Sequence, residues 1–362
     1  MKKLLRVVGA LFFLLLAYLL FWPVSVAPIA WTPPVAPALT DIYAVNHDLA
    51  TVERLGEGVG PKPEDIAIDA QGRIYAGFED GRIMRWSPSA QDPELFANTD
   101  GRPLGLHFDK EGNLIVADSF KGLLSIDPEG QLKVLSTEQG GLPYGFTNDV
   151  DIAADGTIYF SDASHKFGQT QFMEDLIEHG AHGRLLAYHP ESGETELLLD
   201  DLQFANGVAI DPAQQFVLVN ETGFYLVRKY WIAGPKKGQN EVTIDNLPGF
   251  PDGISTGTNG VFWIALASPR NGLMDKLGPK PFLRKVVMRL PGFLRPKPVQ
   301  YSFVVGINGD GKVLHNLQDP DGAYAPITSV QEHEGMLYFG SIIESAFGRF
   351  PVPATPAESA AP

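Results

Sequence analysis

No cysteine occurs among the 362 residues. Disulfides, thiolate catalysis and cysteine-based zinc sites are thereby excluded. Positive charge is also scarce: 28 Lys and Arg stand against 43 Asp and Glu, a formal net charge of −15. A polyanion would be repelled, so nucleic acid is not an expected partner, whereas cations would be attracted. A glycine-rich phosphate loop, a Gly-x-Ser-x-Gly elbow and a His-Glu-x-x-His stretch are all missing, and the classes that depend on them have no support. What the chain has is apolar residues, 44% of the total, together with 38 glycines and 29 prolines. That composition allows a large core cut by many turns.

The N-terminus reads as a membrane segment. Met1-Lys2-Lys3 and Arg6 precede an uncharged stretch from Val7 to Trp31, densely apolar up to Trp22. A basic end followed by a run of membrane length predicts an anchor over residues 1–26, with the rest of the chain on the extracytoplasmic (periplasmic) side. The alternative is a cleaved signal peptide, whose best small-residue site, Val24-Ser25-Val26-Ala27, is followed directly by Pro28. Pro28, Pro33, Pro34 and Pro37 then predict a stiff, extended linker over residues 27–44, leading away from the bilayer.

From about Val45 the chain repeats itself. Ile66-Ala67-Ile68-Asp69 through Gly72-Arg73-Ile74-Tyr75 opens one unit, and Leu106-His107-Phe108-Asp109 through Gly112-Asn113-Leu114-Ile115 the next. Further units open at Val150, Val208, Ile254 and Val330. Each is a short strand, an Asp/Gly or Asn/Gly turn and a second strand, which is the signature of a hairpin. Several continue into a third strand ending at proline, as in Leu123-Leu124-Ser125-Ile126-Asp127-Pro128. A spacing of roughly 40 to 45 residues with four strands per unit predicts an all-β, six-bladed β-propeller over residues 45–353. Two insertions interrupt it. Phe172 to Glu178 predicts a short helix, and residues 269–298 a basic amphipathic one that either touches a membrane or packs over a propeller face. Residues 354–362 read as a disordered tail.

Four oxygen-bearing side chains recur at one place in the repeat. Glu64 precedes Ile66, Asn148 lies in Thr147-Asn148-Asp149-Val150, Asn206 in Ala205-Asn206-Gly207-Val208, and Asp252 in Pro251-Asp252-Gly253-Ile254. Each is expected in a turn just before an innermost strand, so that all four converge on the central channel. Any one of them is explained as a turn residue; the shared phase points to a common centre. Two carboxylates and two amide oxygens make a hard, oxygen-only ligand set, suited to Ca2+ or another divalent ion, with water completing the shell. Asp149 either supports Asn148 from behind or is a turn residue. His107, His165, His315 and His333 are scattered over different blades, and Asp319-Pro320-Asp321-Gly322 reads as a turn.

Several stretches carry a family resemblance: Gly101-Arg102-Pro103-Leu104-Gly105-Leu106, Val116-Ala117-Asp118-Ser119-Phe120, Phe146-Thr147-Asn148-Asp149-Val150, Phe216-Val217-Leu218-Val219-Asn220-Glu221-Thr222 and Leu247-Pro248-Gly249-Phe250-Pro251-Asp252. Over about residues 60–350 the chain resembles the gluconolactonase, strictosidine-synthase-like and paraoxonase group of six-bladed calcium propellers. The resemblance implies that Glu64, Asn148, Asn206 and Asp252 hold the metal and that Asp252, Asn148 and Asn206 serve catalysis. The implied substrates are small lactones, aryl esters or organophosphates. Two departures matter. Leu104 stands where paraoxonases carry a histidine, and Thr328 where strictosidine synthases carry a glutamate, which argues against amine–aldehyde condensation. The expectation is a membrane-anchored, calcium-dependent hydrolase; the alternative is a non-catalytic binding platform with a structural calcium ion.

Overall fold

Residues 1–354 are described by a computed structural model, in which each of the six repeats becomes one four-stranded antiparallel sheet. The inner strands of the first five blades are Ile66–Ile68, Pro103–Phe108, Thr147–Ile152, Ala205–Ile210 and Gly249–Thr256. The sixth blade runs Ser329–His333, Met336–Gly340, Phe347–Pro351, and takes its outermost strand, Glu53–Leu55, from the start of the domain. Leu55 pairs with Phe347 and Glu53 with Arg349, so the ring is closed by joining the two ends of the chain. The expected disordered tail falls on residues 355–362, outside the described residues, apart from Ala354.

Strand position within a blade follows from how apolar each segment is. The second strands Ile74–Gly77, Leu114–Asp118, Ile158–Asp162 and Phe216–Glu221 are buried along their whole length. A strand covered on both faces by neighbouring blades has no solvent side, so its sequence is a continuous apolar run and not an alternating one. The fourth strands, such as Leu132–Ser136, lie at the rim and are largely exposed. Gly72, Gly112 and Gly156, with φ of 76°, 87° and 91°, close the inner hairpins in the left-handed region that side chains avoid.

The chain places its additions at one end of the ring. In an antiparallel blade the start of the first strand and the end of the second share an edge, as the pairs Thr147–Asp162, Ala205–Glu221 and Gly249–Pro269 show. The insertion after Asp162, with helix α2 (Phe172–Glu178), and that after Pro269, with α3 (Gly272–Leu277) and α4 (Pro281–Arg289), therefore emerge beside the starts of the inner strands. The N-terminal helix α1 (Lys2–Phe21) is exposed along most of its length and is long and apolar enough to cross a membrane, a test that a signal sequence also passes.

The proline-rich segment, expected as a stiff and extended linker, is also fastened to the two insertions. Ala27 N–H donates to Glu178 Oε2 at 2.6 Å, Ile29 N–H to the Glu178 carbonyl at 2.9 Å and Trp31 N–H to the Gly278 carbonyl at 3.1 Å. Trp31 stacks on His179 with ring centres 4.1 Å apart. Proline stiffens the segment as expected. Three of its N–H groups, those of Ala27, Ile29 and Trp31, and its Trp side chain find partners at the ends of α2 and α3, which composition does not reveal.

Candidate metal centre

Three of the four candidate ligands are not in turns. Asn148, Asn206 and Asp252 lie inside inner strands, each at a point where the register against the second strand slips. The slips fall between Thr147 and Val150, Ala205 and Val208, and Pro251 and Ile254, and a fourth separates Pro103 from Gly105. Such β-bulges place an extra residue on one strand and re-aim its side chain. Here they turn Asn148 and Asn206 into the channel instead of into the gap between blades. Only Glu64 stands outside a strand, two residues before Ile66.

A second device holds each bulged strand in place. An acid at the end of the second strand reaches back to the N–H groups that precede the bulge. Asp118 accepts from Arg102 at 3.0 Å, Asp162 from Phe146 at 2.8 Å, and Glu221 from Gln203 at 2.9 Å. Asp162 also takes the guanidinium of Arg184 at 2.7 Å, and Glu221 that of Arg228 at 2.7 Å. All three acids are fully buried. Sequence reasoning passed over this function, although the signal was there: an acid followed by a small residue closes three second strands, as Asp118-Ser119, Asp162-Ala163 and Glu221-Thr222.

Glu64, Asn148 and Asn206 line one channel cavity of about 210 Å³, and Asp252 sits at its edge. Asn206 Nδ2 donates to Asp252 Oδ1 at 2.7 Å and to Thr222 Oγ1 at 3.1 Å. Asn220 Nδ2 fixes the Asp252 carbonyl at 2.6 Å, and Thr222 donates to the Pro251 carbonyl at 2.7 Å. Backbones crowd together here. A Cβ on Gly340 would lie 1.8 Å from the Glu64 carbonyl, and one on Gly207 would lie 2.6 Å from the Asp252 carbonyl.

The charges at this end are only partly compensated. Burial pushes the Glu64 carboxyl well above its usual range, the charge of Asp252 adds to the shift, and Arg102 offsets part of it. Burial likewise pushes Asp252 up to about 7, against the hydrogen bond from Asn206. The Asn206 amide spends both donor bonds on Thr222 and Asp252, and its Oδ1 is left buried with no donor. Two crowded carboxylates and an orphaned amide oxygen are what a bound divalent cation would satisfy together. The donor set thus fits calcium.

The channel continues with further acids, of which Asp65 and Asp151 were not expected from the sequence. Asp65 accepts from Leu106 N–H of the next blade at 2.9 Å and is pushed by burial up to about 6. Asp149 accepts from Val208 N–H at 2.7 Å and Asp151 from Ile210 N–H at 2.7 Å, so both tie the third blade to the fourth. Asp149 braces neighbouring strands and makes no hydrogen bond to Asn148. His107 lies 3.4 Å from Asp151, and both line the channel cavity. The tandem polar pairs Glu64-Asp65 and Asn148-Asp149 carried two of these acids in the sequence.

The departures from the family pattern also have places. Leu104 is buried with Phe146, Ala163 and Phe204 beneath Phe172 and Leu176, an apolar patch beside the candidate ligands. Thr328 is buried and donates to the Glu64 carbonyl at 3.0 Å, so it positions a candidate ligand. The other three-residue group of possible ligands, His47, Asp319 and Asp321, lies outside the channel. There Asp319 already accepts from Ala323 N–H at 2.8 Å and closes the turn expected from its sequence.

The strictosidine synthase family model matches residues 148–235, and that of the strictosidine-synthase-like N-terminal region residues 41–86. Protein STRICTOSIDINE SYNTHASE-LIKE 10 of Arabidopsis thaliana is 38% identical over 318 residues, covering 79% of this chain and 84% of its own. The chain belongs to the strictosidine-synthase-like family. The adipocyte plasma membrane-associated protein of Bos taurus, 32% identical over 88% of this chain and 82% of its own, is a further relative. Among solved structures, a gluconolactonase from Xanthomonas campestris superimposes with a TM-score of 0.61 at 17% identity, over 90% of this chain and 99% of that one. A calcium-binding protein, regucalcin, from Agrobacterium tumefaciens gives 0.56 at 16% identity, over 83% and 91%. Strictosidine-synthase-like chains therefore share the propeller with these more distant proteins.

Proposed function

We propose that the protein is a calcium-dependent hydrolase of lactones or aryl esters, anchored in a membrane by α1 with the propeller on the extracytoplasmic side. One observation carries this reading: Glu64, Asn148, Asn206 and Asp252, drawn from four blades, meet at one end of the channel with charge and an amide oxygen left unsatisfied. These four would hold the ion. When bound, calcium would supply a positive centre for the oxygen of a scissile carbonyl.

The chain's own groups have separable tasks. Asp252, kept ionised beside a bound cation, is suited to take a proton from an attacking water. Asn206 orients that carboxylate through its 2.7 Å bond, while Thr222 and Asn220 fix the backbone carrying it. Leu104, Phe146 and Phe204 form a buried apolar support under Phe172 and Leu176, behind the strands that carry Asn148 and Asn206. Thr328 offers no carboxylate for condensation. The names of the gluconolactonase and regucalcin neighbours agree with lactone chemistry and calcium.

The test is hydrolysis of an aryl-ester and lactone panel by the full chain in detergent, stripped with a chelator and then titrated with calcium. Activity should vanish on stripping and return with the ion. A correctly folded protein that turns over no substrate at any calcium level would leave the binding platform as the better reading.

A further inference from the structure

The insertion over residues 270–298 is chemically unlike the rest of the molecule. It carries eight Lys and Arg against one acid, Asp275, in a chain of net charge −15. Two of those bases are not surface charges. Arg284 and Arg289 are buried and make no ion pair, because their guanidinium groups are used on backbone carbonyls. Arg284 donates to Ile177 O at 2.8 Å and to Ile29 O of the linker, and Arg289 to Trp22 O at 2.6 Å and Leu19 O at 2.9 Å. Arg289 thus clamps the last turn of α1. Farther along, Arg270 holds Pro34 O at 2.7 Å and Asn246 holds Val35 O at 2.9 Å. Val26 is buried against Phe167, Ile177 and Met288.

These bonds remove the slack between α1 and the propeller. A free segment from Trp22 to Trp31 could stretch about 30 Å, but this one is fastened at both ends and between. If α1 spans a bilayer, its last turn lies at the interface, and the C-terminal end of α4 lies there with it. What α4 and its flanks then present outward is apolar and basic. Phe282 is 52% exposed, Phe293 76% and Leu294 56%, while Lys276, Lys280 and Lys297 are exposed beside them. Apolar side chains among lysines are the composition of a helix lying in the headgroup region, where each lysine is attracted to an anionic surface.

We propose that residues 270–298 form a bilayer-docking surface, with Phe282, Phe293 and Leu294 entering the lipid and Lys276, Lys280 and Lys297 meeting anionic headgroups. The proposal rests on the reading of α1 as a membrane anchor. Its consequence is orientation: both insertions share the end of the ring where Glu64, Asn148, Asn206 and Asp252 converge, so that end faces the membrane and the inner hairpin turns face away.

The absence of cysteine makes the test direct. Single variants Leu11→Cys, Phe282→Cys, Phe293→Cys and Asp155→Cys of the full chain are spin-labelled and placed, one chain per disc, in nanodiscs containing about one-third anionic lipid. Collision with oxygen, which partitions into lipid, is compared with collision with a water-soluble nickel chelate. Labels at 282 and 293 should resemble the label at 11 in α1, oxygen-accessible and shielded from nickel, and the label at 155 in an inner hairpin turn should show the reverse. Labels at 282 and 293 as open to nickel as that at 155, with 11 in lipid, would overturn docking and leave the anchor intact. A label at 11 outside the lipid would overturn the anchor and the docking with it. Replacing Lys276, Lys280 and Lys297 together by Glu should raise nickel access at 293 several-fold; no change would overturn the role given to the lysines.

Discussion

Replacing Asp252 by Asn should weaken the function and strengthen the ion-free fold, two effects of opposite sign from one carboxylate. The substituted amide keeps the shape and an oxygen that can accept the 2.7 Å bond from Asn206, so the bulged strand has no reason to rearrange. The charge is what disappears. Burial raises Asp252 from 3.8 to about 7 in the folded chain. A shift of that size corresponds to about 4 kcal/mol at most. The side chain is only half-buried, so solvent screening reduces this to about 1–2 kcal/mol. The stability linked to a raised carboxyl is fully present below about pH 4 and is lost as pH rises through about 7. In calcium-free buffer the variant should therefore melt about 1–4 °C above the parent at pH 8 and show little difference at pH 4. Calcium affinity should fall about 10- to 100-fold with the lost ligand charge, and kcat by about 10² to 10⁴ with the lost base. Thermal melts at both pH values, a calcium titration and ester kinetics read all of this. An ion-free variant less stable than the parent at pH 8, or one as active as the parent, would refute the reasoning.

Three further outcomes follow from the same geometry. Asp162→Ala leaves the buried Arg184 guanidinium without its carboxylate and frees the Phe146 N–H, so denaturant unfolding should show a loss of about 3–5 kcal/mol. Gly340→Ala drives a methyl into the Glu64 carbonyl and should cost about 1–3 kcal/mol while weakening calcium binding, measured by melts with and without the ion. Trp31→Ala removes the stack on His179 and should loosen the linker, so that limited proteolysis cuts residues 27–39 several-fold faster with the propeller core unchanged.

Much of the fold was legible because repetition carries more information than any one segment. All six repeat openings lie on inner strands, and the short helix falls on Phe172–Glu178 as its residues suggest. The ring closure was not legible: Glu53-Arg54-Leu55 has no pattern of its own and becomes a strand only because Phe347–Arg349 offers an unpaired edge. The same limit applies at the candidate centre. Asn-Gly and Asp-Gly look like turns because those residues favour them, and the sequence does not reveal that a bulge serves instead. The linker's attachment was not legible for a related reason, since its partners Glu178 and Gly278 lie in insertions whose positions depend on the closed ring. Local chemistry marked which side chains recur, and only the ring showed what they face.

The central claim is that four side chains from four blades hold one calcium ion. The most direct measurement is a crystal structure grown in calcium, with diffraction recorded at a wavelength where the ion scatters anomalously. An anomalous peak is expected within about 2.3–2.6 Å of oxygens from Glu64, Asn148, Asn206 and Asp252. No peak there, or one only at His47, Asp319 and Asp321, would contradict it.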